Sequence, residues 1–263
     1  MKQSMYRSDM FRLIHSYEFL FSIAGIVVIV LLSNVSEVLE YQEFLAVDTI
    51  MDNFLYGGWY RNLLFIVAAY PFSRNYYQDT VHGFCGAAIQ KAGIYQYAWS
   101  KVWCTAFSAF AVTFSGLLVS AGIFSIFCVP CYYEKFGEMN YTYPYGVLAA
   151  AGFTMLFLLV RSALFSFGAA FWSVFALVTS TWRAEPLVIL TAPFIGSYVE
   201  SRFQFFLPPW MQVNACISGD ELIVSGIIAN FAYGICFLWL LTVLLGILFF
   251  YRIKRSAYGE NIF

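Results

Sequence analysis

The sequence predicts an all-α integral membrane fold with six transmembrane helices, and three observations carry the prediction. At 61% hydrophobic and 11% charged residues, the chain is far more apolar than a soluble domain, which holds about 45–50% apolar and about 25% charged residues. Its 29 Phe and 19 Tyr would leave large apolar patches on any water-exposed surface of this size. Apolar stretches also recur along the chain at lengths comparable to the roughly 20 residues that cross about 30 Å of hydrocarbon.

In order, these stretches are residues 17–33, 58–72, 102–127, 156–180, 187–203 and 222–251, the second being short and weak. Hydrocarbon offers the backbone no hydrogen-bond partner, and the runs are too evenly apolar for barrel strands, so they read as helices. Ahead of the first lies a short amphipathic segment, residues 5–16, whose Arg7, Arg12 and His15 suit a surface helix against headgroups or a partner subunit. Basic residues at this place are also what topology alone requires. No small-x-small cleavage site follows Leu32 and further spans come after it, so the first helix is expected to stay in the mature chain.

Residues 73–100, between the second and third spans, are too polar to cross a membrane and too long for a simple turn. They are expected to carry a short helix over residues 79–88, with Asp79 as its cap and Val81, Phe84 and Cys85 on one apolar face. Residues 128–145 and 204–221 are aromatic, and Pro130, Pro144, Pro208 and Pro209 limit regular structure there, which reads as an outer cap. Residues 145–155 form a candidate short helix of their own.

Orientation follows from Lys and Arg, which are retained in short cytoplasmic loops. With both termini inside, the inner set is Lys2, Arg7, Arg12, Arg74, Lys91, Lys101, Arg183, Arg252, Lys254 and Arg255, against Arg61, Lys135, Arg161 and Arg202 outside. That asymmetry decides for cytoplasmic termini, and an even number of spans agrees with it.

Several function classes fall away. The net charge of −1 and the absence of a basic patch exclude a nucleic-acid footprint. The two histidines, His15 and His82, are not in H-E-x-x-H spacing and no G-x-S-x-G elbow occurs, so neither a catalytic centre nor a metal site is expected. The rival readings are a secondary transporter or a membrane sensor or accessory subunit, with an intramembrane enzyme behind them. A secondary transporter usually carries ionisable groups at mid-membrane depth, whereas the charges here fall near span ends.

Three pairings are expected. Glu18 should meet a basic neighbour such as Arg74 or Lys101, and Arg161 should meet Glu200, since each charge alone is unfavourable near hydrocarbon. Cys128, Cys131 and Cys216 share the outer, oxidising face in this topology. Either Cys216 bridges to one of the earlier two, or Cys128 and Cys131 close a small ring.

The second-to-third-span segment reads PFSRNYYQDTVHGFCGAAIQKAGIYQYAWSKVW. Its Asp79, Thr80, Lys91 and Lys101 resemble the acidic residue, threonine, basic residue and span-opening lysine of the permease subunits of ABC-2 type exporters. It departs from that pattern in lacking the residue between the acid and the threonine and in placing Gly83 later. The amphipathic amino-terminal segment and the FLPPWMQ segment before the last span are also similar to that family. The resemblance implies a permease in a cell membrane, the bacterial cytoplasmic membrane, working with a second, identical or homologous permease and with separate ABC ATPase subunits that bind ATP and Mg. Residues 79–85, that is Asp79, Thr80, Val81, His82, Gly83, Phe84 and Cys85, would then be the ATPase-coupling element. No G-x-x-x-x-G-K-[ST] loop is present, so any ATP used must be bound by a partner. Expected cargo is amphipathic: a peptide antibiotic, another amphipathic drug, or a lipid.

Overall fold

The computed structural model describes residues 5–41, 46–56, 59–129, 145–183, 185–219 and 223–258. Among them the chain is helical, with a single isolated bridge between Ala46 and Val129 and no strand. The helices are α1 (Met5–Ile14), α2 (Tyr17–Tyr41), α3 (Val47–Tyr56), α4 (Trp59–Ala69), α5 (Asn75–Val81), α6 (Phe84–Ala92), α7 (Ile94–Phe127), α8 (Gly146–Ala150), α9 (Thr154–Thr179), α10 (Pro186–Phe203), α11 (Val213–Ser218) and α12 (Ile227–Tyr258). Short 3₁₀ turns at Gln204–Phe206 and Pro209–Met211 join α10 to α11.

Four of these helices, α2, α7, α9 and α12, are long and apolar enough to cross a membrane. The chain is therefore a multi-pass membrane protein. Of the six crossings expected from the sequence, four meet this criterion. Helix α4 has 11 residues and so rises only about 16 Å. Helix α10 has 18 residues, but Pro193 interrupts it and its last turns carry Glu200 and Arg202.

Helix α9 sits at the centre, 56% of its most apolar window being buried against 22–39% for the other three. It packs on α7, α12, α10 and α4, and its small residues explain why. Ser162, Ser166, Gly168, Ala169, Ala170, Ser173 and Ala176 are buried and let neighbouring backbones approach. The Ser166 hydroxyl donates to the Ser162 carbonyl at 2.7 Å, so that polar group needs no outside partner. Helices α2 and α7 touch in the same way: a Cβ on Gly116 would lie 2.7 Å from Ile26 Cγ2. The outward faces remain apolar, with Leu20, Phe21, Val28 and Leu32 on α2 and Ile228, Leu240 and Leu244 on α12 exposed, as lipid-facing helices require.

Two helices depart from the sequence expectation. Between the first two apolar stretches lies α3, whose Val47, Ile50, Met51, Phe54 and Leu55 recur at helical spacing and are buried in the core. Helix α7 begins at Ile94 rather than 102, because the polar Tyr97, Ser100 and Lys101 are buried inside the protein instead of facing water.

Candidate functional site: a buried charge cluster behind a helical hairpin

Residues 73–100 fold as a hairpin, α5 and α6, followed directly by the start of α7. Gly83 has φ 71°, the left-handed region in which a Cβ is strained, and its N–H closes the turn on the Thr80 carbonyl at 3.1 Å. The expected single helix over 79–88 with Asp79 as its cap is thus corrected. Asp79 lies inside α5, whose cap position is Arg74. It turns inward because a cation waits there.

That cation is Lys101 of α7, fully buried. Its ammonium has three N–H donors and three acceptors around it. Nζ stands 2.8 Å from Asp79 Oδ2 and 3.1 Å from Asp9 Oδ1, and also donates to Asn75 Oδ1. The second carboxylate charge is spread over further donors. Ser100 Oγ donates to Asp9 Oδ2 at 2.6 Å, and Tyr97 OH donates to Asp79 Oδ2 at 3.2 Å. Arg12 approaches Asp79 Oδ1 to 3.9 Å from a largely exposed position. The Tyr97 and Phe72 rings lie 5.4 and 5.6 Å from Nζ, within cation–π range.

The cluster ties three elements distant in sequence: α1 through Asp9, α5 through Asn75 and Asp79, and α7 through Ser100 and Lys101. A buried pair of this kind holds its elements together because losing one partner strands the other charge, at about 3–5 kcal/mol. Asp9 was not singled out by the sequence reading. The signal was there, since Met5, Asp9 and Leu13 fall at i, i+4 and i+8, which places one carboxylate in the apolar stripe of α1.

The other expected site residues divide into outward and inward groups. Val81, His82, Gly83 and Phe84 are exposed at the hairpin tip, Phe84 by 64%. The Thr80 hydroxyl folds back onto the Tyr76 carbonyl at 2.8 Å. Cys85 does not share a face with Val81 and Phe84 as expected. The break at Gly83 turns it inward, where it packs with Tyr76 and Tyr97, and burial raises its thiol above the ordinary value. Arg7 on α1 and His15 just after it are exposed, and His15 stacks on Phe11 at 4.1 Å. Glu18 meets Arg74 at 3.4 Å, one of the two partners expected.

Arg161 and Glu200 do not pair among the described residues. Glu200 Oε1 accepts the Asn214 N–H at 3.2 Å, and the cation acting on it is Arg61, which donates to Asn214 Oδ1 at 2.9 Å and to the Leu55 carbonyl at 3.3 Å. Arg161 is buried beside Tyr145 and Gly219. The helix packing sets this arrangement, because α4 and α11 both pack against α10 and bring Arg61 and Asn214 to Glu200.

The cysteine expectation also changes. Cys128 and Cys216 are free and buried, so no bridge forms at either, and Cys131 lies outside the described residues. Burial, with Glu200 nearby, pushes the Cys216 thiol up to about 12. No group of three or more metal-ligating side chains occurs among the described residues. Compared with known proteins, the chain matches no family model, no curated protein and no solved structure.

Proposed function

We propose that the chain is the membrane-spanning permease subunit of an ATP-driven exporter, with ATP bound and hydrolysed by separate subunits docked on the α5–α6 hairpin. The observation that carries this reading is the hairpin's two-sided construction. Its tip offers exposed Val81 and Phe84 to a partner, while its base is anchored through Asp79 and Asn75 to Lys101 of α7. A force applied at the tip therefore reaches a membrane-crossing helix through buried, charge-assisted bonds rather than through a loose loop.

In this reading both termini are cytoplasmic and the membrane is the bacterial cytoplasmic one. Helices α4 and α10 complete the set of six crossings, and a second permease lines the other half of the pathway. The exposed Arg7 and Arg12 of α1, and His15 just after it, lie at the inner headgroup level. The chain itself carries no catalytic residues, and its cargo is an amphipathic molecule such as a peptide antibiotic, a drug or a lipid. The test is purification of the tagged chain from its native membrane in mild detergent. An ATPase subunit retained in fixed proportion, with ATP hydrolysis stimulated by amphipathic cargo, is the expected result. A chain that purifies alone yet still moves cargo on a proton gradient would favour the secondary-transporter reading instead.

A further inference from the structure

Just beyond Lys101, α7, α9 and α12 part to leave a pocket of about 570 Å³ that α1 borders through Tyr6. The volume falls within the roughly 300–1,000 Å³ of small-molecule sites. Six aromatic side chains line it: Tyr6, Trp103, Phe107, Phe110, Phe167 and Trp239. None of its lining residues carries a formal charge. Besides the Tyr6 hydroxyl and the indole N–H groups of Trp103 and Trp239, the lining side chains bring the Thr242 hydroxyl, whose proton is donated to the Leu238 carbonyl at 2.8 Å. Burial raises the Tyr6 phenol above its ordinary value, so it faces the pocket neutral. Ala106 and Ala170 supply the room that larger side chains would fill.

The aromatic lining continues beyond the pocket. Tyr95, Trp99 and Trp103 recur every fourth residue on α7, with ring centroids 6.3 and 5.7 Å apart, and Trp103 stacks on Trp239 of α12 at 5.9 Å. A run of rings thus leads from the beginning of α7 to the pocket. Ring faces carry the negative lobe of the aromatic quadrupole, so in a water-poor site they attract cations and repel anions of the same size.

We propose that this pocket binds lipophilic aromatic cations, with its aromatic lining, Trp103 and Trp239 included, meeting both the charge and its apolar body. The proposal deepens the export reading by naming a class of cargo. It rests on that reading for its biological meaning only, because binding is measured on the isolated chain without any ATPase.

The experiment uses two ions of nearly the same size and shape and opposite charge, tetraphenylphosphonium and tetraphenylborate, titrated calorimetrically into the purified chain in a neutral detergent. The wild type should bind the cation at least about tenfold more tightly than the anion, as expected for one well-placed, desolvated ring. Trp239→Leu should lose about that factor for the cation and little for the anion, while Trp239→Phe retains most of it. Equal affinity for the two ions, or cation affinity unchanged in a folded Trp239→Leu protein, would overturn the proposal and leave a pocket that sorts by size alone. The comparison of the two ions on the wild type decides even if Trp239→Leu does not fold. Failure of ATPase co-purification would leave this binding untouched, so the two readings fail separately.

Discussion

Lys101→Met removes the buried cation that faces both Asp9 and Asp79 while keeping the bulk of the side chain. In the wild type the ammonium is 3.1 Å from Asp9 and 2.8 Å from Asp79. Without it, two carboxylates remain that are 1% and 5% exposed, and Arg12, 3.9 Å from Asp79 alone, is itself largely in solvent. An exposed partner at that distance contributes about 0–1 kcal/mol, whereas stranding a buried charge costs about 3–5 kcal/mol. The cluster therefore dominates, and the expected fall in melting temperature in detergent is on the order of 10 °C, using a shift of about 2–4 °C per kcal/mol. Intrinsic Trp fluorescence on heating measures it. The triple variant Asp9→Asn, Asp79→Asn, Lys101→Met should recover most of the loss, because a buried ionic cluster replaced as a whole by neutral groups is often near neutral for stability. A Lys101→Met protein melting within about 2 °C of wild type, or a triple variant no better than the single one, would refute the argument that this cluster locks α1, α5 and α7 together.

Three further outcomes follow from the geometry. At Gly83 a Cβ would meet nothing within 4 Å but would sit at φ 71°, so Gly83→Ala should cost about 1–2 kcal/mol through backbone strain alone; faster amide exchange over residues 75–92, with membrane insertion unchanged, is the readout. Arg61→Leu should sharply reduce folded yield by stranding Glu200, and adding Glu200→Gln should restore part of it, whereas Glu200→Gln should not rescue Arg161→Leu. Because the Cys216 thiol is raised from 9.0 to about 12 in the folded chain, its contribution to stability is full below pH 9.0 and drains away as pH climbs toward 12; alkylation of native Cys216 should stay slow until the upper end of that window, and fast labelling at pH 9 would contradict its burial.

Hydropathy made the membrane class and the long helices legible, since α2, α7, α9 and α12 each coincide with an apolar stretch. It does not register tertiary pairing. Lys101 reads as a charge that opens a span and Asp9 as a charge on a surface helix, yet each is buried because the other is there. Hydropathy also passes over α3, where Asp48 and Asp52 interrupt the apolar residues that fall on one buried face. In the hairpin, the apolar spacing of Val81, Phe84 and Cys85 suggested one helix, but Gly83 in the left-handed region breaks it and separates Cys85 from the other two. Arg161 and Glu200 are near the ends of successive helices and look like partners along the chain. The packing brings Glu200 to Arg61 instead, through Asn214 on α11, a contact for which no sequence spacing gives a sign.

If an ATPase subunit docks on the hairpin tip as proposed, Phe84→Asp should break that contact. Phe84 is 64% exposed and outside the buried cluster, so a charge there should leave helix content, membrane insertion and melting temperature as in the wild type. The measurement is the amount of ATPase subunit retained per chain after purification from native membranes, with cargo export followed in parallel. Phe84→Asp is expected to lose the ATPase and the export together while remaining folded in the membrane. Wild-type ATPase retention and wild-type export in that variant would contradict it.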